Sequence, residues 1–159
     1  ACLLVCEIAA QAKASGSSLY KELINLYLDF SFYKEHLISL TKKGKEGLAE
    51  INQMMVDLRD NPMETINGQR VVCIEDYQNT TARDLINNET FDLDIPKSNV
   101  LIYYLEDGTK ICARPSGTEP KIKFYFSVNT AIENINEIPE AESFLNTKIK
   151  NIILEMQLN

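Results

Sequence analysis

The sequence predicts an α+β fold. Two observations carry this. Helix-forming segments dominate the first 60 residues, and short apolar runs separated by turns follow from Arg70 onward. The clearest strand is 121–128, where Ile122, Phe124, Phe126 and Val128 alternate with Lys121, Lys123, Tyr125 and Ser127. About four antiparallel strands and a closing helix are expected.

The chain opens on Ala-Cys-Leu-Leu-Val-Cys-Glu-Ile-Ala-Ala, which reads as a helix that must pack against something. Its lack of a cap or polar lead-in is expected of a chain cut within a longer one. Ser15-Gly16-Ser17-Ser18 breaks it, and Ser17 or Ser18 caps a second helix over about 19–32. Leu19, Leu23, Leu26 and Phe30 form its apolar stripe. A third helix starts near Thr41, places Leu48, Ile51, Met55 and Leu58 on one face, and stops before Asn61-Pro62. Met54 and Met55 read as core filler. Pro62 and Gly68 mark 61–69 as a linker or boundary.

Val71 to Ile74 is a short strand, and 78–99 reads as polar and irregular. Val100 to Leu105 and Lys110 to Ala113 pair across a turn at Glu106-Asp107-Gly108-Thr109. The segment from about Ile138 to Met156 is an amphipathic helix able to lay Phe144, Ile149, Ile152 and Ile153 on the sheet.

Composition bounds the function. The 159 residues fit one domain, or one domain and a piece of another. A net charge of −7 argues against general nucleic-acid binding and against an anionic membrane surface. Residues 110–123 oppose that background with a net +3, leaving −10 elsewhere. A small basic focus on an acidic body suits a small anionic ligand. Cys2, Cys6, Cys73 and Cys112 form no C-x-x-C pair, and His36 is the one histidine, which disfavours a Cys/His zinc site. The cysteines are expected to be buried, reduced thiols of a cytoplasmic protein. Asp92-Leu93-Asp94 reads as solvated surface, so no metal site is expected in this chain. No signal peptide or membrane span is expected either.

The basic focus contains Arg114-Pro-Ser-Gly-Thr-Glu-Pro120, set between two strands. A phosphate asks for a fixed positive charge, short hydroxyl donors and converging N–H groups. Arg114 supplies the first, Ser116 and Thr118 the second. Gly117 is expected to admit a positive φ that turns the N–H groups inward. Lys121 or Lys123 adds a second charge, and Pro115 and Pro120 stiffen the ends. The bland reading of the same residues is a tight turn with an exposed arginine.

The string Arg114-Pro-Ser-Gly-Thr-Glu-Pro-Lys-Ile-Lys123 resembles the phosphate-binding loop in the last of the four domains of α-D-phosphohexomutases, the phosphoglucomutase and phosphomannomutase family. Asp107-Gly108 and the strand after the loop fit the same pattern. The resemblance implies that 61–159 is the C-terminal phosphate-binding domain, of TATA-binding-protein-like fold. Residues 1–60 are then the closing helices of the third domain, itself α/β, and a linker. It also implies that Arg114, Ser116, Gly117, Thr118 and Lys123 hold the non-reacting phosphate of a hexose phosphate. The parent enzyme would interconvert hexose 1- and 6-phosphates through a phosphoserine, a bisphosphate intermediate and Mg²⁺. Its serine and its metal loop would lie outside this chain, so no catalytic residue is assigned here and the fragment alone is expected to be inactive. Its expected partners are the hexose phosphate and the remaining domains. The alternative is a stand-alone phosphate- or phosphosugar-binding module.

Overall fold

A computed structural model describes residues 1–158, with every side chain among them except that of Lys45. The order is α1 (Cys2–Ala14), α2 (Leu19–Phe30), β1 (Phe32–Thr41), α3 (Gly44–Asp60), β2 (Thr65–Ile66), β3 (Gln69–Asp76), β4 (Thr81–Asp84) and β5 (Glu89–Asp92). There follow β6 (Leu101–Leu105), β7 (Lys110–Pro115), β8 (Lys121–Thr130), a short 3₁₀ turn and α4 (Ile138–Glu155). The fold is α+β.

The described strands number eight, against about four expected. They form an antiparallel sheet in the order β1-β8-β7-β6-β3-β4-β5, with β2 paired to β3. The largest correction is β1. Sequence periodicity predicts α2 as far as about Phe32 and no element between there and Thr41, yet this segment pairs with β8 along ten residues. Its charged positions, Lys34, Glu35 and His36, are tolerable because β1 is an edge strand. The polar stretch 78–99, expected to be irregular, folds β4 and β5 into a hairpin. Residues 61–69, expected as linker, hold the β2–β3 hairpin, whose Asn67-Gly68 turn has φ of 51° and 72°.

Helices α3 and α4 cover one face of the sheet. Ile51 and Met55 of α3 and Leu145, Ile149 and Ile152 of α4 join Ile111, Ile122, Phe124, Phe126 and Val128 in one core. The expected division between residues 60 and 61 falls inside this core, because β1 and α3 both belong to it. Phe144, expected on the sheet, is 55% exposed, and Leu48 also faces outward. Lys148 of α4 is buried and reaches Asp107 at 2.7 Å, fixing α4 to the β6–β7 turn. Gly108 in that turn has φ 81°, a conformation that disfavours any Cβ.

Helices α1 and α2 contribute far less. Ser18 caps α2 through the Lys21 N–H at 3.3 Å, as expected. Only Ala12 and Ile24 are buried along the two helices. Leu3 is 88% exposed, and the expected stripe of Leu19, Leu23, Leu26 and Phe30 faces solvent. The cysteines also depart from expectation: Cys2 and Cys6 are exposed, and Cys73 and Cys112 are half-buried. All are free thiols. Cys2 and Cys6 are exposed because the helix face that holds them has nothing packed on it.

Candidate functional site: an anion pocket at the end of two strands

The second face of the sheet is not covered by α3 or α4, and the loop 116–120 stands at its corner. Strand β7 ends at Arg114-Pro115, and β8 begins at Lys121. Register places Arg114 opposite Lys123, and Pro115 opposite Ile122. Because Ile122 and Phe124 point into the core, pleating turns Lys121 and Lys123 to the open face, together with Arg114. Two cations set directly across a strand pair repel. None of Arg114, Lys121 and Lys123 forms an ion pair with a described residue. The fold therefore gathers three cations without a direct ion-pair partner among the described residues, with Glu119 the one carboxylate in the same wall.

These three side chains border a cavity of about 300 Å³, with Pro115, Ser116, Gly117, Glu119 and Tyr125 completing its wall. The loop is closed by its own hydrogen bonds. The Ser116 N–H donates to the Lys121 carbonyl at 2.7 Å, and the Lys121 N–H to that of Glu119 at 2.8 Å. The Lys42 N–H, just beyond β1, holds the Pro120 carbonyl at 2.9 Å. Ser116 Oγ accepts long bonds from the Thr118 and Glu119 N–H groups, at 3.4 and 3.3 Å. Its own hydroxyl proton is left for a partner in the cavity.

Four of the five residues expected from sequence, Arg114, Ser116, Gly117 and Lys123, line the cavity. Thr118 is exposed outside that lining. The positive φ expected at Gly117 is not found; it occurs instead at Gly16, Gly44, Gly68 and Gly108. A Cβ at Gly117 would meet nothing within 4 Å. Neither backbone conformation nor internal packing therefore demands glycine here. What glycine does provide is an open approach from the cavity to bare backbone. Sequence reasoning passed over Tyr125 as a site residue, although the β8 alternation already put it on the face of Lys121 and Lys123.

No helix among the described residues is long and apolar enough to cross a membrane. Nor do the described residues bring three or more His, Cys, Asp or Glu side chains together as a metal donor set. Asp92 closes β5 and Asp94 lies in the segment after it, both exposed.

No family model matches the chain. It is 38% identical over 135 residues to a phosphoglucomutase of Staphylococcus saprophyticus, a match covering 84% of this chain and 24% of that protein. A phosphoglucomutase of Staphylococcus aureus is 38% identical over 125 residues, covering 79% of this chain and 22% of the relative. One from Staphylococcus epidermidis is 36% identical over 126 residues, with 79% and 23% covered. The chain thus spans about a quarter of the length of the curated relatives it matches. Among solved structures, Paramecium parafusin, described as a phosphoglucomutase, aligns over 87% of this chain and 23% of its own, at 9% identity and a TM-score of 0.45. That last likeness is too distant to argue from. The sequence matches fit a C-terminal fragment of a phosphohexomutase.

Proposed function

We propose that this chain is the substrate-anchoring part of a phosphohexomutase that interconverts hexose 1-phosphate and hexose 6-phosphate. Arg114, Ser116, Gly117 and Lys123, which line the pocket, grip the phosphate that does not react; Thr118, expected among them, stands outside the wall. The carrying observation is the pocket of Arg114, Lys121 and Lys123 beside an unobstructed glycine. A dianion there relieves the repulsion among the three cations, and Arg114 offers a bidentate fork. The likeness to phosphoglucomutases supplies the substrate class.

In this reading the anchored phosphate fixes the far end of the sugar. The other end can then meet a phosphoserine in line, with binding energy from the remote group spent on orientation. The exchange passes through a bisphosphate. The serine belongs to polypeptide beyond this chain, as does the Mg²⁺ that would offset phosphoryl charge. The exposed Asp92 and Asp94 do not fit such an ion. The chain alone is then inactive as a mutase. The partners are the hexose phosphate and the rest of the parent enzyme, in the cytoplasm. We place the division between domains near Ser31 rather than residue 60, since β1 and α3 share the core of the sheet.

Inorganic phosphate added to this chain is expected to shift the amide resonances of 114–123 with millimolar affinity, about −4 kcal/mol of binding free energy. Arg114→Ala is expected to abolish the shifts. Shifts scattered over the surface, or unaltered by that substitution, would refute the anchoring role.

A further inference from the structure

The anion pocket shares Tyr125 with a second cavity on the same open face, of about 260 Å³. We propose that this second cavity is a sugar platform, with the pyranose ring of a phosphosugar lying on Tyr125 and its hydroxyls reaching Ser127, Lys110 and Glu35. The inference rests on the anion pocket being a phosphate site.

Strand register arranges the open face in rows. The first row is Ser39, Lys123 and Arg114, carrying positive charge. The second is Leu37, Tyr125 and Cys112. The third is Glu35, Ser127 and Lys110. Successive rows lie about 6.7 Å apart, two residues of strand rise. A ring bonded through one carbon to a phosphate held in the first row comes to rest over the second. Its outer hydroxyls then point toward the third.

The chemistry of each row suits that placement. A pyranose has apolar C–H faces and a polar rim. Tyr125 is 36% exposed, which leaves aromatic surface available to a ligand on this face. Cys112 beside it is pushed up by burial, against the weaker opposing pull of Lys110 and Arg114, so its thiol stays neutral and serves as apolar floor. The third row supplies a donor in Lys110, an acceptor in Glu35 and both in Ser127, the mixed set a hydroxyl rim requires. Lys110 is steadied by its ammonium lying 5.3 Å from the centre of the Tyr104 ring.

Calorimetric titration of this chain with inorganic phosphate, glucose 6-phosphate, glucose and adenosine monophosphate tests the assignment. Glucose 6-phosphate is expected to bind roughly five- to tenfold tighter than inorganic phosphate, the difference that one good aromatic contact provides. Tyr125→Val, which keeps a strand-forming residue, is expected to erase that difference, with a smaller loss for inorganic phosphate because the ring also borders the anion pocket. Tyr125→Phe is expected to retain it. Glucose 6-phosphate should also shift the amides of 110–112 and 125–127, which inorganic phosphate alone leaves in place. Equal affinity for the two ligands, an equal loss for both in Tyr125→Val, or tighter binding of adenosine monophosphate than of glucose 6-phosphate would overturn the platform while leaving the phosphate site standing. If inorganic phosphate itself does not bind, both fall.

Discussion

Arg114 and Lys123 face each other across two hydrogen-bonded strands, where sheet stability alone favours opposite charges or a neutral pair. Gly117 beside them is equally unexplained by the fold, since its φ is not positive and its surroundings are open. The proposed phosphate, anionic and close to the backbone, would account for both. Gly117→Ala separates stability from binding. Thermal denaturation is expected to show no loss, or a gain of about 0.4–1 kcal/mol from the stiffer unfolded chain. Phosphate affinity in the same variant should fall several-fold as the methyl group enters the cavity. A variant that melts earlier and binds unchanged would make Gly117 a structural residue. This part of the site was legible in sequence because its chemistry is compressed into ten consecutive residues. Tyr125 was harder to see, because its relevance depends on which strands flank β8. The helical-face cysteines misled for a related reason: small apolar residues signal burial only where something covers them.

Among the elements, the β6–β7 turn and α4 depend on the bond between Lys148 and Asp107. Burial raises the Asp107 carboxyl. The Lys148 ammonium and the Thr109 N–H outweigh it and hold the group below the usual carboxylate range. A depressed folded value means stabilisation that is fully present above the unfolded value, near 3.9, and lost as pH falls through the folded one. The pair is therefore expected to add no pH dependence to urea denaturation midpoints above pH 5 and to make them decline below about pH 4. Lys148→Met should cost about 2 kcal/mol at neutral pH, discounted because Asp107 is partly solvated, and should flatten the acid decline. A neutral-pH midpoint unchanged in the variant would show the pair to be inert. The elements themselves were legible where periodicity was strong, as in α4, β6, β7 and β8. Strand β1 was not, because charged residues occupy inward positions that only an edge strand tolerates. Strands β4 and β5 were hidden by Asn, Thr and Asp, residues that a short exposed hairpin accepts as readily as a loop does.

At the scale of the whole molecule, the core begins at Phe32. Helices α1 and α2 touch it chiefly through Tyr27, whose ring meets that of Phe32 edge-on at 4.9 Å between centres. A chain reduced to 32–159 is expected to keep the sheet's amide spectrum and its response to phosphate, losing about 1 kcal/mol with that aromatic contact. The 159-residue chain, with Leu3, Leu26 and Phe30 bare, is expected to self-associate in light scattering as concentration rises, and the shortened one to stay monomeric. Unfolding of the shortened chain would show the two helices to be integral.

The bond from Lys42 to Pro120 gives β1 a mechanical meaning. The strand is a strut of about 30 Å, nine steps of 3.3 Å, with the paired helices joined at one end and the corner of the candidate anion pocket latched to the other. Ten paired positions along β8 keep it from flexing along its length. A force applied to the helices would thus arrive at the corner as rotation of the entire sheet. A closing motion that brings a distant reactive group toward a gripped phosphate would swing this unit as one rigid arm.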